Sequence, residues 1–214
     1  SLTQGEIRVF QSSAMRVAGT NTIDGALTLN QSGTGNSDVL TIGDVTFNGT
    51  GEIRANTNAN NRIYSESGAG LLTLNVPFRG AGQIGFAQTP MVFNSIVEND
   101  GLGTLIIQPN GQGLDNNGTI RQSGSGLIQL RGRVFGEQGR VEVTGTGNTD
   151  LDGCHISGGV LADTGDGLFI VNANTPLLQD LAIESGEVRI ALQSSARTLG
   201  TIVIDGIISL NQSG

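Results

Sequence analysis

Short runs of alternating apolar and polar residues recur along the whole chain, and each is bounded by Gly, Asn, Asp or Ser. An alternation with a period of two places the apolar side chains on one face of an extended segment. The pattern therefore predicts many short β-strands, each with one buried face. The clearest runs are Ala26–Leu29, Asp44–Phe47, Leu71–Leu74, Thr104–Ile107, Gly126–Leu130, Arg140–Val143, Leu168–Val171 and Glu187–Ile190.

A second local pattern is the tetrapeptide Gly-x-Ile/Val-Arg. It begins at Gly5, Gly51, Gly118 and Gly186, and a looser relative begins at Gly139. We interpret these positions as entries from a turn into a strand. Such turns require positive φ angles, which Gly adopts at low cost, and this accounts for its abundance here.

The chain also repeats itself over a long distance. Gly19–Gly33 aligns without gaps with Gly200–Gly214, an offset of 181 residues, and ten of the fifteen positions are identical. Upstream, Gly5–Ala14 matches Gly186–Ala196 with one inserted residue. Residues 5–33 and 186–214 are therefore predicted to be equivalent parts of successive tandem repeats, within a longer natural polypeptide.

Tandem repetition decides among the all-β architectures. A sandwich or a barrel closes on itself, whereas each turn of a solenoid needs a neighbour to pair its strand edges. Residues 1–214 are predicted to form one elongated all-β domain, a parallel β-helix or β-solenoid. With turns of roughly 20 to 25 residues stacked about 4.8 Å apart, one repeat holds about eight turns and advances on the order of 40 Å.

Composition supports this prediction. The chain has 34 Gly among 214 residues and 14% charged residues, against averages of about 7% Gly and about 25% charged. The many Gly and Asn residues argue against a helical bundle, and the absence of a three-residue Gly period excludes collagen. An apolar fraction of 36% argues against disorder.

Charge and hydropathy exclude two classes of partner. The net charge is −8 and all basic residues are Arg, so a phosphate-binding surface for nucleic acid is not expected. The apolar runs are a few residues long, as in Gly167–Val171, whereas a transmembrane helix needs about 20. No transmembrane segment is predicted.

The best candidate for catalysis is Asn148–Gly153 followed by His155. Asp150 and Asp152 beside a histidine are residues that could perform acid–base chemistry on a glycosidic bond. The Asn-Thr-Asp sequence resembles a fragment of the polygalacturonase signature, but the adjacent Asp-Asp pair, Gly-His-Gly and Arg-Ile-Lys of that signature are absent. We therefore predict no catalytic residues and no enzymatic activity, and interpret the segment as a turn.

A calcium site is the alternative interpretation of the same segment. Gly33–Val39 and Gly145–Leu151 share a Gly-Thr-Gly-Asn-x-Asp-apolar pattern that resembles calcium-binding nonapeptide repeats. Asp38, Asp150 and Asp152 are the candidate ligands. The copies are far apart in sequence, and each has one residue too many between Gly and Asp. Turns capped by these aspartates are favoured, and no cofactor is predicted.

Cys154 and His155 offer little chemistry. Each is the only residue of its type, so neither a disulfide nor a zinc site with several histidines or thiols is expected. Cys154 is predicted to be a small buried residue. Phe47, Phe93 and Phe169 lie in strand patterns and are expected in the core.

Several phrases resemble the repeats of giant exported bacterial β-helix proteins of the filamentous-haemagglutinin-like and autotransporter-passenger-like class. The resemblance implies a right-handed parallel β-helix, extracellular or on the cell surface, that serves as a filament, stalk or adhesin without catalytic residues. The phrases are Leu114–Gly118, Gly118–Arg121, Ile183–Ile190 and Asp205–Asn211.

The expected partners are adjacent copies of the repeat, stacked end to end, and surface glycans. An adhesin needs a binding surface, for which the looser segment Ala55–Gly70 is the candidate. The alternative function is that of a polysaccharide-binding or polysaccharide-cleaving β-helix protein.

Overall fold

The computed structural model describes residues 4–30 and 32–210, which form strands and turns and no helix. Each of the eight runs predicted above contains a strand. In chain order the strands are β1 (Glu6–Phe10), β2 (Ser13–Thr22), β3 (Ala26–Asn30), β4 (Ser37–Asn48), β5 (Glu52–Ala55), β6 (Asn61–Ser65), β7 (Leu72–Leu74), β8 (Phe78–Arg79), β9 (Gly82–Ile84), β10 (Met91–Phe93), β11 (Ile96–Asn99), β12 (Thr104–Ile107), β13 (Leu114–Asn116), β14 (Thr119–Gln122), β15 (Leu127–Leu130), β16 (Arg133–Phe135), β17 (Arg140–Val143), β18 (Asn148–Leu151), β19 (His155–Ser157), β20 (Val160–Asp163), β21 (Phe169–Val171), β22 (Leu177–Gln179), β23 (Ala182–Ser185), β24 (Glu187–Ile190), β25 (Arg197–Leu199), β26 (Val203–Ile204) and β27 (Ile207–Leu210).

The strands stack into three parallel ladders, which we call faces 1, 2 and 3. Face 1 runs β1, β3, β5, β8, β11, β14, β17, β20, β23, β26. Face 2 contains the first halves of β2 and β4, then β6, β9, β12, β15, β18, β21, β24, β27. Face 3 contains their second halves, then β7, β10, β13, β16, β19, β22, β25.

The chain visits the faces in the order 1, 2, 3 and then begins a new turn, so the molecule is a parallel β-solenoid of about nine turns. Residues paired on face 1 are 19 residues apart at the closest, Phe78 with Val97, and 26 at the farthest, Leu27 with Ile53. The predicted fold class, a single elongated all-β solenoid, is confirmed.

The core is a set of apolar columns along the solenoid axis. On face 1 one column joins register partners on successive turns, and from Leu27 to Ile183 every member is at most 3% exposed. Phe47, Phe93 and Phe169 are also buried, as expected. The face 1 column is Ile7, Leu27, Ile53, Phe78, Val97, Ile120, Val141, Leu161, Ile183 and Ile204.

Two signature glycines have a different physical role from the one predicted. Neither Gly51 nor Gly118 has a positive φ angle. Instead, a Cβ atom at Gly51 would lie 2.0 Å from the carbonyl oxygen of Gly25, and one at Gly118 would lie 2.2 Å from that of Ser95. Glycine is therefore required here because the backbones of neighbouring turns approach closely at the strand entries.

Asparagine side chains form a ladder where face 3 ends. The side-chain Nδ2 of Asn75 donates to Oδ1 of Asn48 at 2.5 Å, Asn94 donates to Asn75 at 2.7 Å, and Asn117 donates to Asn94 at 3.0 Å. Identical residues on four successive turns thus satisfy one another, which is the ladder arrangement known from stacked strands.

The segment Ala55–Gly70 is more ordered than the sequence predicted. Its central part is strand β6, which pairs with β4 and β9 on face 2. The preceding Asn-rich stretch is held by its own hydrogen bonds, in which Nδ2 of Asn61 donates to Oδ1 of Asn56 at 2.7 Å. The interpretation of this segment as a loose loop was wrong, because stacking on adjacent turns orders it.

Candidate functional site

The acidic segment Asn148–Gly153 crosses the corner between faces 2 and 3. Asp150 lies in β18, whereas Asp152 follows its end and precedes Gly153, which has a φ of +64°. Leu151 between them is fully buried. A turn follows at Gly153 as expected, but the interpretation of the whole segment as a turn was wrong, because Asn148–Leu151 pairs with both neighbouring turns as strand β18.

Asp150 is the more unusual of the two carboxylates. It is 7% exposed, and one carboxylate oxygen, Oδ1, is buried without a hydrogen-bond partner. The other oxygen accepts a long hydrogen bond of 3.5 Å from Nδ2 of Asn172. Burial raises the pKa of Asp150 because the charged form is poorly solvated, and the nearby Asp152 raises it further.

Asp152 is engaged by two side chains. The Nε of Arg131 donates to its Oδ2 at 2.7 Å, and Nδ2 of Asn174 donates to its Oδ1 at 2.6 Å. These residues line a shallow, open groove together with Gln108, Gly132 and Thr175. Both carboxylate oxygens of Asp152 are thus occupied by protein donors.

Asp38 lies far from this groove, on β4. Both of its carboxylate oxygens accept hydrogen bonds from the guanidinium of Arg62, each at 2.7 Å. The two side chains are only 15% and 16% exposed. The structure therefore does not bring Asp38 together with Asp150 and Asp152, and an Arg already satisfies it.

Cys154 and His155 are adjacent in sequence but differ in environment. Cys154 is fully buried, as expected, and burial raises the pKa of its thiol to about 12, so it stays protonated at neutral pH. The Nε2 atom of His155 lies 3.0 Å from Oε1 of Gln179 on the next turn. Across residues 4–30 and 32–210, no group of three or more His, Cys, Asp or Glu side chains could hold a metal ion.

One cluster was not predicted from the sequence. The rings of Tyr64 and Phe86 lie 5.4 Å apart, and the guanidinium of Arg62 lies 5.3 Å from the first ring and 5.2 Å from the second. Arg62 and Tyr64 lie on β6 of face 2, and Phe86 lies in the turn that follows β9. All three side chains are partly exposed. We call Arg62, Tyr64 and Phe86 the aromatic patch.

The patch escaped sequence analysis because its two rings come from successive turns. Tyr64 and Phe86 are 22 residues apart in sequence, which is neither a strand nor a helix period. The spacing is close to one turn of the solenoid, since Arg62 pairs with Gln83 on the next turn. Only the observed turn length brings the two rings together.

The residues predicted to be equivalent, 5–33 and 186–214, contain matching strand pairs. Glu6 pairs with Ala26 between β1 and β3, and Glu187 pairs with Ile207 between β24 and β27. The first pair lies on face 1 and the second on face 2. Residues 31 and 211–214 of these segments lie outside the described residues.

Their side-chain contacts match as well. The hydroxyl of Thr28 donates to Glu6, and the hydroxyl of Ser209 donates to Glu187. Within each outer strand, Glu6 pairs with Arg8 and Glu187 pairs with Arg189. The strand pairs β1–β3 and β24–β27 thus share these side-chain contacts.

The upper edge of the last turn, formed by β26 and β27, exposes apolar side chains. Between 48% and 69% of each is exposed. In the part of the chain that the structure describes, no strand lies on this edge. The residues are Val203, Ile204, Ile207 and Leu210.

Comparisons with protein families, with curated proteins and with solved structures found no match to this chain. The strands and turns described above include no helix long and apolar enough to cross a membrane.

Proposed function

We propose that this chain is a structural module of a long extracellular or cell-surface β-solenoid, in which adjacent copies of the repeat stack end to end to form a filament, stalk or adhesin. The observation that carries the proposal is the recurrence of the β1–β3 pair as β24–β27, with the same register and side-chain contacts. In this proposal the second copy begins inside an uninterrupted ladder, as a continuous rod requires.

The physical reason is the stacking of turns. Each turn pairs the strand edges of the turn before it and covers its inward apolar side chains, so successive copies stabilise one another. The same ladders supply axial hydrogen bonds through every turn, so tandem copies form a rod without flexible linkers.

A non-enzymatic role is part of the proposal. Asp152 is occupied by Arg131 and Asn174, and Asp38 by Arg62, so these carboxylates are poorly placed to act on a substrate. Incubation of the protein with acidic and neutral polysaccharides should release no new reducing ends. Reducing-end release that disappears in Asp150→Asn would refute this part.

Electron microscopy of the native material tests the structural role. We expect continuous fibres with an axial rise per copy on the order of 40 Å, since one sequence repeat advances by about 4.8 Å per turn. Helical reconstruction of these fibres gives that rise directly. Compact particles with no end-to-end continuity would contradict the proposal.

A second candidate function is the binding of a polysaccharide, and the aromatic patch favours it. Partly exposed rings beside an Arg and its bound Asp38 offer stacking and hydrogen-bonding groups of the kind that sugar rings use. Tyr64→Ala should abolish binding on a glycan array if the patch is the site, whereas Phe135→Ala on face 3 should leave binding unchanged. Equal binding by both variants would exclude the patch.

A further inference from the structure

Strand β3 lies between two strands that carry the same sequence. Below it is β1, preceded by Gly5, and above it is β5, preceded by Gly51; both read Gly-Glu-Ile-Arg. Both strands meet β3 in the same register, since Glu6 and Glu52 each pair with Ala26. Both edges of β3 therefore pair with a strand of the same sequence in the same register. We call an edge that accepts this strand a seat.

The close approach of these strands requires glycine on two successive turns, at Gly25 and Gly51. A Cβ atom at Gly25 would lie 2.0 Å from the carbonyl oxygen of Gly5, and one at Gly51 would lie 2.0 Å from that of Gly25. The backbone bonds are matched too, since Ala26 N donates to Gly5 O at 2.9 Å and Glu52 N donates to Gly25 O at 3.0 Å.

Strand β27 has the lower half of this arrangement. Ile207 N donates to Gly186 O at 2.8 Å, as Ala26 N does to Gly5 O. Gly206 lies over Gly186, with a Cβ-to-oxygen distance of 2.7 Å. The inward side chains Ile208 and Leu210 occupy the places of Leu27 and Leu29, but Leu27 and Leu29 are at most 2% exposed, whereas Leu210 is 69% exposed.

We infer that the upper edge of β27 is the seat for the Gly51–Ala55 segment of a second copy of the repeat that follows in the same chain. In this arrangement Ile207 pairs with the second copy's Glu52, and Ser209 with its Arg54, as Ala26 and Thr28 do within this chain. The inference rests on the proposed function, because it assumes that copies continue in tandem.

The same seat fixes the rotation between copies. Strand β1 is the first strand of face 1, and its equivalent β24 is the ninth strand of face 2. One repeat therefore covers eight turns plus one face. Each copy is turned by one face relative to the copy before it, and the surface of the first copy returns to its own face at the fourth.

A two-copy chain tests the seat. It consists of the full chain followed by a second copy starting at Thr34, because Gly214 corresponds to Gly33, with Cys154→Ser in both copies. The test pair is Ser209→Cys with the second copy's Arg54→Cys, whose Cα atoms would be neighbours on adjacent strands, within disulfide range. The matched control pair keeps the second copy's Arg54→Cys and adds Asp205→Cys, the position that an unrotated stack would bring beside it on face 1.

We expect an intrachain disulfide in the test pair at a yield about tenfold or more above the control, because Cα atoms more than about 7 Å apart cannot be bridged. Ile207→Cys with the second copy's Glu52→Cys should give the same result independently. Circular dichroism of the reduced chains shows that each variant folds.

The outcomes separate the inference from the proposed function. A disulfide in the control pair would overturn the rotation while leaving end-to-end stacking intact. Disulfides between chains rather than within one would overturn the seat for a tandem copy. No disulfide in either pair, with two separate short rods visible by electron microscopy, would overturn both.

Discussion

Close contact between backbones at the strand entries is the most demanding feature at the scale of single residues. A methyl group added at Gly51 would clash with the carbonyl oxygen of Gly25. The clashing atoms belong to the backbone, so no flexible side chain can move aside to make room. Such a contact can be relieved only by separating two turns, which weakens ladder hydrogen bonds on both sides.

Gly51→Ala should therefore destabilise the fold by about 2 to 3 kcal/mol. Gly111→Ala is the matched control, because a Cβ atom there has no atom within 4 Å and the φ angle is not positive; it should be neutral or slightly stabilising. Urea denaturation followed by circular dichroism measures both. Equal stability of the two variants would contradict the contact.

Burial of a charged carboxylate makes a second prediction at this scale. The raised pKa of Asp150 means that the folded state holds its proton more tightly than the unfolded state. Its ionisation consequently costs stability once the pH rises through the folded pKa, and the cost disappears as the pH falls below the ordinary aspartate range.

Asp150→Asn removes this ionisation and should stabilise the protein at pH 7 by about 1 kcal/mol, with the advantage shrinking as the pH falls towards about 4. Thermal unfolding at several pH values measures the difference. The exposed Asp115→Asn should show no comparable advantage. A stabilisation by Asp150→Asn that is the same at pH 4 and pH 7 would contradict the electrostatic explanation.

Sequence analysis identified the reactive residue types but not their partners. It singled out Asp38, Asp150 and Asp152, yet the residues that engage them, Arg62, Asn172 and Arg131, lie 20 or more positions away and one turn distant. Turn lengths vary between neighbouring turns, so these pairings have no fixed spacing that a single sequence could reveal.

Ladders of like side chains act at the scale of elements. The four-membered asparagine ladder joins the end of β4 to the corners that follow β7, β10 and β13, and each interior member both donates and accepts one amide hydrogen bond. The ladder adds side-chain hydrogen bonds at positions where the backbone N–H groups of Asn75, Asn94 and Asn117 also donate to the preceding turn.

Asn94→Ala removes two of these hydrogen bonds and should destabilise the fold by about 1 kcal/mol, whereas Asn48→Ala, at the end of the ladder, removes one and should cost roughly half as much. Midpoints of urea unfolding compare the two. A larger loss in Asn48→Ala than in Asn94→Ala would show that the ladder does not act as a connected unit.

The strands themselves were predictable, because alternation marks the buried face of each one. Their assignment to three faces was not, since every face shows the same alternation. Strand β6 was not predicted for a related reason. Its apolar residues are interspersed with Asn, Arg and Ser, so the sequence shows no clear alternation there. Pairing with the neighbouring turns, and not local propensity, makes this segment a strand.

Backbone pairing between adjacent turns defines the behaviour of the whole molecule, and a few ion pairs, such as Arg16 with Glu66, span two turns. Each strand between the first and the last turn pairs with the turn before it and the turn after it, so stability is distributed along the axis as a series of neighbouring interfaces. A defect in one turn should loosen its neighbours and leave distant turns unaffected.

Phe93→Ala tests this property. Phe93 is fully buried between Leu74 and Asn116, and its truncation should cost about 3 to 5 kcal/mol. Hydrogen exchange should accelerate in β7, β10 and β13 but not in β21 and β24. The outward Phe135→Ala should change neither region, and uniform acceleration along the chain would contradict local coupling.

The offset of one face between equivalent strand pairs has a consequence for how such a protein varies in length. Unequal recombination between tandem copies adds or deletes whole copies. In the proposed tandem array, each gain or loss lengthens or shortens the rod and also turns everything beyond the junction by a third of a revolution. Three events in the same direction restore the original orientation, so length variants would differ in the direction in which their distal surfaces point.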